Sequence, residues 1–154
     1  MASVSEKLKD TDKIICKMLE SNAKTSLSEI AEKVGLSVPS VSEHIKKLEE
    51  QGIIEGYFAK INHEYLNLDI TAFISVRVDS SSNYAGFIAQ CKKSPEVLEC
   101  HAITGDASHL LKIRVENTSA LEKLLSRIQQ WKGVQRTMTN LVLSTHIESF
   151  AVVS

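Results

Sequence analysis

The sequence is poor in residues that interrupt regular structure, with two prolines and six glycines among 154 residues. It also lacks any apolar run long enough to cross a bilayer, which takes about 20 residues as a helix. Hydrophobic residues make up 43% and charged residues 24%, as in ordinary globular proteins. Extensive disorder and a membrane span are therefore excluded, and the length suits one medium domain or two small ones.

Cysteine is scarce and unpaired. Cys16, Cys91 and Cys100 form no C-x-x-C pair, and an odd count without an apolar leader fits reduced thiols in a cytoplasmic protein. The histidines lack the spacing of metal ligands, and Cys100 and His101 point to opposite faces of a predicted strand. Nucleophile elbows and phosphate-binding glycine loops are missing too. We expect no metal, no cofactor and no catalytic residue, and hence a protein that is not an enzyme.

A surplus of basic residues is missing as well. The formal net charge is -1, and residues 1–62 carry nine Lys and ten Asp or Glu. This balance counts against a domain that is basic throughout, because phosphate contacts depend on Lys and Arg. A local basic stripe remains compatible with a neutral total.

Three stretches of the first half have the apolar spacing of amphipathic helices. They are residues 11–20, 27–34 and 38–51. Asp10 or Thr11 suits the cap of the first helix, while Ser26 and Glu29 form a capping box that opens the second. Residues 53–61 are predicted to follow as two short strands.

The second and third helices are joined by Gly35, Leu36 and Ser37. A short glycine-containing turn between amphipathic helices is typical of a helix-turn-helix, in which the second helix enters the major groove. An apolar stripe of the third helix is expected to pack inward: Val38, Val41, Ile45 and Leu48. The remaining positions point outward and are the expected DNA contacts: Ser37, Pro39, Ser40, Ser42, Glu43, His44, Lys46 and Lys47.

Chemistry divides these outward residues into two groups. Ser40, Glu43 and His44 can hydrogen-bond bases, whereas Lys46 and Lys47 are placed for phosphates. The acidic Glu43 must accept from a cytosine amine, be neutralised by a neighbour, or tilt away. The alternative to DNA binding is a three-helix packing unit whose outer face is merely solvated.

The second half alternates strands and helices. Strands are predicted at 72–78, 97–104, 108–115 and 134–145, and helices at 83–93 and 119–130. Ser119 and Glu122 suggest a second capping box. This order is the split βαβ, or ferredoxin-like, arrangement. We therefore predict an α+β protein with a winged helix-turn-helix at 1–61, a linker at 62–69 and a ligand-sensing and oligomerisation domain at 70–154.

One face of the predicted sheet is left without helices. Phe73 points away from the side of Ile74, and the three residues 141–143 are apolar without a gap. A strand that is buried on both faces has this pattern. We expect the second face to pack against another copy of the chain.

Four segments resemble the Lrp/AsnC, or feast/famine, family of transcriptional regulators. Residues 36–57 read LSVPSVSEHIKKLEEQGIIEGY, and with Gly35 they follow the family pattern GLSxxxVxxRIxxLExxGxI. Leu8, Asp12, Ile15 and Leu19 match its opening helix. The segments PEVLECHAITGD at 95–106 and GVQRTMT at 133–139 are similar to its sensor domain. The resemblance covers nearly the whole chain.

The resemblance implies a sequence-specific regulator of transcription. Family members pair through the C-terminal sheet, assemble further into tetramers or octamers, and bend double-stranded DNA around the particle. Amino acids or related metabolites change their assembly or DNA affinity. A symmetric dimer would read a roughly palindromic site.

The resemblance also implies an effector site near the sensor turn and the last strand. The matching positions are Thr104, Gly105, Ala107, Ser108, Thr137 and Thr139. Ser108 stands where the family often has Asp, which would weaken the hold on an ammonium group. His44 replaces the usual Arg of the recognition helix. The alternative is an ordinary hairpin turn at Gly105 with threonines that are simply strand residues.

Two other functions remain open from the residues. Some relatives of this architecture are decarboxylases of sirohaem-type tetrapyrroles, which need His and Arg around a pocket. The sequence shows no evident cluster among its four arginines: Arg77, Arg114, Arg127 and Arg136. The other alternative is an oligomeric ligand-binding module that has lost DNA binding. Lys46 and Lys47 on the outer helix face argue against it.

Overall fold

The computed structural model describes residues 8–153 and divides the chain into two compact units. One unit comprises the described residues up to Lys60 together with those from Ile147 onward, and the other is Ile61–His146. Residues 1–7 and 154, which the predicted domains include, lie outside the described residues.

The first unit is built from three helices, as the apolar spacing predicts. They are α1 (Asp10–Ser21), α2 (Leu27–Val34) and α3 (Val38–Glu50). Their buried core consists of Ile15, Cys16, Ile30, Ala31, Val41 and Leu48. Burial of these apolar side chains holds the helices together.

The helix starts follow the sequence only in part. The capping box of α2 is confirmed, because the Ser26 hydroxyl accepts the Glu29 N–H and the Glu29 carboxylate accepts the Ser26 N–H, both over 3.1 Å. The predicted cap of α1 is wrong. Asp10 and Thr11 lie inside α1, which starts after Lys9 without a side-chain cap. The acidic residues of this first turn still complement the helix dipole.

The two predicted short strands at 53–61 do not form in the described chain. A strand needs a hydrogen-bonding neighbour, and no other segment of the described unit runs beside this one as a strand. Its start is held to α3, where the Leu48 carbonyl accepts the N–H groups of Ile53 and Ile54. Tyr57 then donates its hydroxyl hydrogen to the Glu49 carboxylate over 2.8 Å. Phe58 remains 85% exposed.

The last described residues fold back onto the same helical unit. Val153 packs against its core. The Glu20 carboxylate accepts the backbone N–H of Val152 and, over 3.0 Å, that of Val153. One acidic side chain of α1 thus satisfies two consecutive donors of the C-terminal segment.

The second unit has the predicted order of strands and helices. Its elements are β1 (Ile70–Val78), α4 (Tyr84–Lys93), β2 (Val97–Ala102), β3 (His109–Val115), α5 (Thr118–Gln130) and β4 (Val134–Leu141). The strands form one antiparallel sheet in the order β2-β3-β1-β4. The ferredoxin-like arrangement is confirmed. Strand β4 ends at Leu141 rather than at residue 145, and Val142 makes a last bond to the Thr71 carbonyl.

Alternation along the central strand β1 builds the core. Ala72, Ile74 and Val76 are fully buried, since every second side chain of a strand points to the same face. They pack with α4 and α5 through Phe87, Leu124 and Ile128, among others. Because α4 and α5 of this unit both cover that face, we refer to the opposite face as the open face of the sheet.

The cap of α5 differs from the prediction. Asn117 is the N-cap, and its Oδ1 accepts the Ala120 N–H over 2.9 Å. The predicted capping box of Ser119 and Glu122 is therefore wrong, because Ser119 already lies in the first helical turn. Either residue type can cap a helix, and the backbone conformation at Asn117 decides between them.

We expect Asn117→Ala to lower the free energy of unfolding by about 1 kcal/mol, because it removes the acceptor of an otherwise unpaired N–H. Ser119→Ala is the matched control, and it should change the value by less than about 0.5 kcal/mol. Urea denaturation of both variants measures the difference. Equal losses for the two would contradict the assignment of the cap.

Candidate DNA-binding helix and effector site

The turn between α2 and α3 depends on Gly35. Its φ of +70° lies in the left-handed region, which glycine adopts without the steric cost that a Cβ brings. Leu36 then donates its N–H to the Ala31 carbonyl over 3.1 Å and packs against the helical core. Ser37 caps α3 by accepting the Ser40 N–H over 3.3 Å. These bonds fix the direction in which α3 leaves the turn.

Helix α3 has one buried face, although its stripe is shorter than predicted. Val41 and Leu48 are buried and Ile45 packs against the same core. Val38 is 39% exposed, so the prediction that it packs inward is wrong. Val38 is the first residue of α3, next to the turn.

The expected DNA contacts lie mostly on the solvent-exposed face of α3. Six of them are exposed: Ser37, Pro39, Ser42, Glu43, Lys46 and Lys47. Ser40 and His44 are half-buried. Within residues 8–153, neither lysine has a carboxylate within ion-pair distance. Among these residues, no carboxylate competes with an external anion for either ammonium group.

His44 is already engaged within the helical unit. Its Nδ1 lies 2.7 Å from the Asp12 carboxylate of α1. Because a carboxylate only accepts, Nδ1 carries the hydrogen. The contact ties α3 to α1 and orients the imidazole, so His44 has a structural role whatever else it contacts.

The residues expected at the effector site divide between the two faces of the sheet. Thr104 and Ala107 line a recess of about 190 Å³ on the open face. Thr137 and Thr139 pair with Val76 and Ile74, whose side chains are fully buried beneath the helices. They therefore lie on the helix-covered side, where Thr137 accepts a hydrogen bond from Gln129 of α5 over 3.1 Å.

Gly105 and Ser108 shape the turn from within. Gly105 has a φ of +109°, which suits glycine. The Ser108 hydroxyl donates to the Val76 carbonyl over 3.1 Å and accepts the Val78 N–H over 3.0 Å. Ser108 thus supplies hydrogen bonds to β1 and is not among the residues that line the recess. Its role in the turn is to fasten it to the sheet.

The recess also brings together charged residues that the sequence analysis did not connect. Arg77 of β1 and Arg136 of β4 are directly opposite each other in the sheet. Both guanidinium groups contact the Asp106 carboxylate, that of Arg77 over 3.3 Å. Ser75, Ile103 and Met138 are further lining residues of this recess. No local sequence signal indicates the cluster, since its members come from three distant segments.

His109 follows the turn and is buried on the opposite side. Its ring lies 4.8 Å from the rings of Tyr84 and Phe87 and is 1% exposed. Its Nδ1 lies 2.9 Å from the Ser108 hydroxyl, which already donates to a carbonyl, so Nδ1 carries the hydrogen. Nε2 is buried without a partner in the described chain. Burial lowers the pKa of His109 below its ordinary value of 6.5.

Residues 8–153 contain neither a metal-binding cluster nor a membrane-spanning helix. No group of three His, Cys, Asp or Glu side chains is arranged to hold a metal ion there. No helix in this part of the chain combines the length and apolar character that crossing a membrane requires.

Comparison with known proteins matches both units. Residues 8–55 match the family described as winged helix-turn-helix DNA-binding, and residues 71–152 match the Lrp/AsnC ligand binding domain. The transcriptional regulator LrpA of Mycobacterium tuberculosis is 34% identical over 92% of this chain and 94% of its own. The leucine-responsive regulatory protein of Salmonella typhimurium is 35% identical over 88% and 86%.

A solved structure agrees with these sequence matches. The feast or famine regulatory protein of M. tuberculosis complexed with L-methionine superimposes with a TM-score of 0.89. It is 32% identical, and the match covers 96% of this chain and 100% of that one.

We expect the buried ring of His109 to make stability fall in mild acid. Above pH 6.5 it is neutral in both states; below, the unfolded chain binds a proton that the buried ring resists. The free energy of unfolding then falls by up to about 1.4 kcal/mol per pH unit until the folded pKa is reached. Urea denaturation from about pH 8 to about pH 5 measures this.

His109→Phe is the comparison, because an aromatic ring without titration fills the same site. As the pH falls, the variant should lose less free energy of unfolding than the parent protein, because it has no ring at this site to protonate. Parallel profiles would show that His109 does not carry the effect.

Proposed function

Because the chain belongs to the Lrp/AsnC family of transcriptional regulators, we propose that it binds specific double-stranded DNA through α3 and responds to a small metabolite of the amino-acid class. The observation that carries the proposal is the exposed polar face of α3. Six of its eight expected contact residues are exposed, and the Gly35 turn sets the direction of the helix. We assign DNA binding to residues 1–61, with residues 62–69 as the linker to the second domain.

We propose that the N-terminal half of α3 enters the major groove. Pro39 and Ser42 are small, which lets the helix approach base edges closely. Glu43 is exposed and accepts hydrogen bonds, so the matching base is cytosine through its N4 amine. Ser37, Ser40 and His44 stand beside these residues, and the Asp12 contact keeps the His44 ring in one orientation.

Lys46 and Lys47 supply the phosphate contacts in this arrangement. They follow the base-reading residues by one turn and have no carboxylate partner within residues 8–153. A unit without net basic charge can bind DNA when its cations lie where the backbone passes. The local placement of charge therefore outweighs the neutral total.

We propose that a second copy of the chain covers the open face of the sheet. Phe73 and Leu110 are half-buried there, which leaves apolar area beside the recess for an isologous contact. A two-fold dimer places its recognition helices for half-sites about 34 Å apart or a multiple of that. We also propose that the dimers assemble further to a tetramer or octamer. The protein is expected to act in the cytoplasm.

The effector site that we propose is the recess at the sensor turn. The feast or famine regulatory protein of M. tuberculosis is complexed with L-methionine, which supports an amino-acid ligand for this chain. Thr104, Gly105 and Ala107 lie at the recess or form its turn, and Ser108 fastens that turn to β1. Thr137 and Thr139 lie on the other face of β4, so we propose that they affect the effector site only through the position of that strand.

DNA binding at two salt concentrations tests the proposal, with a genomic fragment pool that includes the upstream region of the protein's own gene. We expect selective retention that weakens between about 50 mM and about 200 mM salt, because bound lysines release counterions from the phosphates. Lys47→Ala should weaken binding to every fragment and flatten the slope of log K against log salt by about one unit.

Lys17→Ala is the matched control, since Lys17 is an exposed lysine of α1. It should leave the salt slope unchanged. No retention of DNA by the assembled protein at low salt would instead favour a ligand-binding oligomer without DNA binding. An unchanged slope for Lys47→Ala would remove that residue from the phosphate contacts.

Glu43→Gln tests base reading. A glutamine donates and accepts, so the preferred base at one position of each half-site should change from cytosine to adenine. The slope of log K against log salt should change by no more than about one unit, since the substitution removes one negative charge and no phosphate contact. Selection from random DNA measures the preference, and the same consensus for both proteins would exclude Glu43 from base contact.

A further inference from the structure

The charges at the recess are unbalanced in a defined way. Two guanidinium groups, of Arg77 and Arg136, share the single carboxylate of Asp106. Since the arginines are direct cross-strand partners, their like charges repel each other. One acidic residue neutralises one of the two, which leaves the cluster with one positive charge in excess.

Stability of the fold does not explain this arrangement. The three side chains are between 51% and 68% exposed, and ion pairs at such exposure contribute little to folding. Each arginine is attracted to Asp106 and repelled by the other arginine, so the exposed cluster adds little to the stability of the sheet. The cluster is better matched to an external ligand than to the needs of the sheet.

Resting on the function proposed above, we propose that this recess binds an acidic amino acid, with one ammonium group and two carboxylates. Each guanidinium offers a bidentate site for a carboxylate, and Asp106 accepts from the ammonium group. The ligand carries a net charge of minus one, which complements the excess of the cluster. An apolar amino acid would leave one guanidinium without a new partner.

The remaining walls suit the same ligand. Ile103 and Met138 offer apolar contact to a short methylene chain, and the hydroxyls of Ser75 and Thr104 offer further hydrogen bonds. The recess of about 190 Å³ is smaller than the sites of roughly 300 Å³ or more that hold drug-sized molecules. It therefore suits a metabolite of few atoms.

Isothermal titration of the full chain with individual compounds tests the proposal. L-Glutamate and L-aspartate are the acidic ligands, L-glutamine and L-methionine lack the second carboxylate, and glutarate lacks the ammonium group. We expect an acidic amino acid to bind roughly tenfold or more tightly than the other three, because a charge-assisted pair is lost in each.

Variants locate the binding. Arg77→Gln and Arg136→Gln should each abolish the preference for L-glutamate over L-glutamine, and Asp106→Asn should abolish the preference for L-glutamate over glutarate. Arg127→Gln is the matched control, because Arg127 is an equally exposed arginine of α5 that pairs with Glu96 over 2.8 Å. It should leave all affinities unchanged.

The outcomes separate this inference from the function on which it rests. Tighter binding of L-methionine, with affinities that the arginine variants do not change, overturns the acidic ligand but leaves an amino-acid effector in place. Glutarate binding as tightly as L-glutamate overturns the role of Asp106 and hence the amino acid. No binding of any of the five compounds overturns the acidic ligand, while selective retention of DNA by the same protein would leave the DNA-binding function in place.

Discussion

The alternation of side chains along β1 is the constraint on which the second unit depends. Ile74 and Val76 point to the helices and are fully buried, so Ser75 and Arg77 must point to the other face. The register with β4 then brings Arg136 beside Arg77 and Met138 beside Ser75. A shift of one residue would exchange the two faces, exposing the core and burying the arginines. The same burial that folds the sheet therefore positions the recess.

In the helical unit, the helical period of 3.6 residues likewise separates buried side chains from exposed ones. Val41 and Leu48 are one face of α3 and anchor it in the core, which leaves Ser42, Glu43 and Lys46 outside. The Gly35 turn and the Ser37 cap fix where this exposed face begins. The residues that we propose read DNA therefore lie mostly at positions that packing of the helical core does not use.

The order of the five α-helices and four sheet strands could be predicted from the sequence because hydrophobic period and turn residues are local signals. The two strands predicted at 53–61 were wrong, because period does not show whether a strand has a partner to pair with. Features that depend on distant partners could not. Asp12 and His44 are far apart in the chain, and Arg77, Asp106 and Arg136 meet only once the sheet has formed. The cap at Asn117 was missed because Ser119, two residues later, carries an equally suitable side chain, and only backbone conformation separates them. Period alone also leaves open which face of β4 each threonine occupies.

Placing the recess and the apolar open face on one side of one sheet has a consequence for regulation. An effector shifts an assembly equilibrium only as far as its affinity differs between the states. In an isologous contact each copy presents the same surface, so the excess positive charge of one Arg77–Arg136 pair adds to the field that the other copy meets. A ligand with a net negative charge neutralises that excess, whereas a ligand without net charge does not. Ligand charge, rather than size, would then decide whether binding favours the assembled state of this sheet.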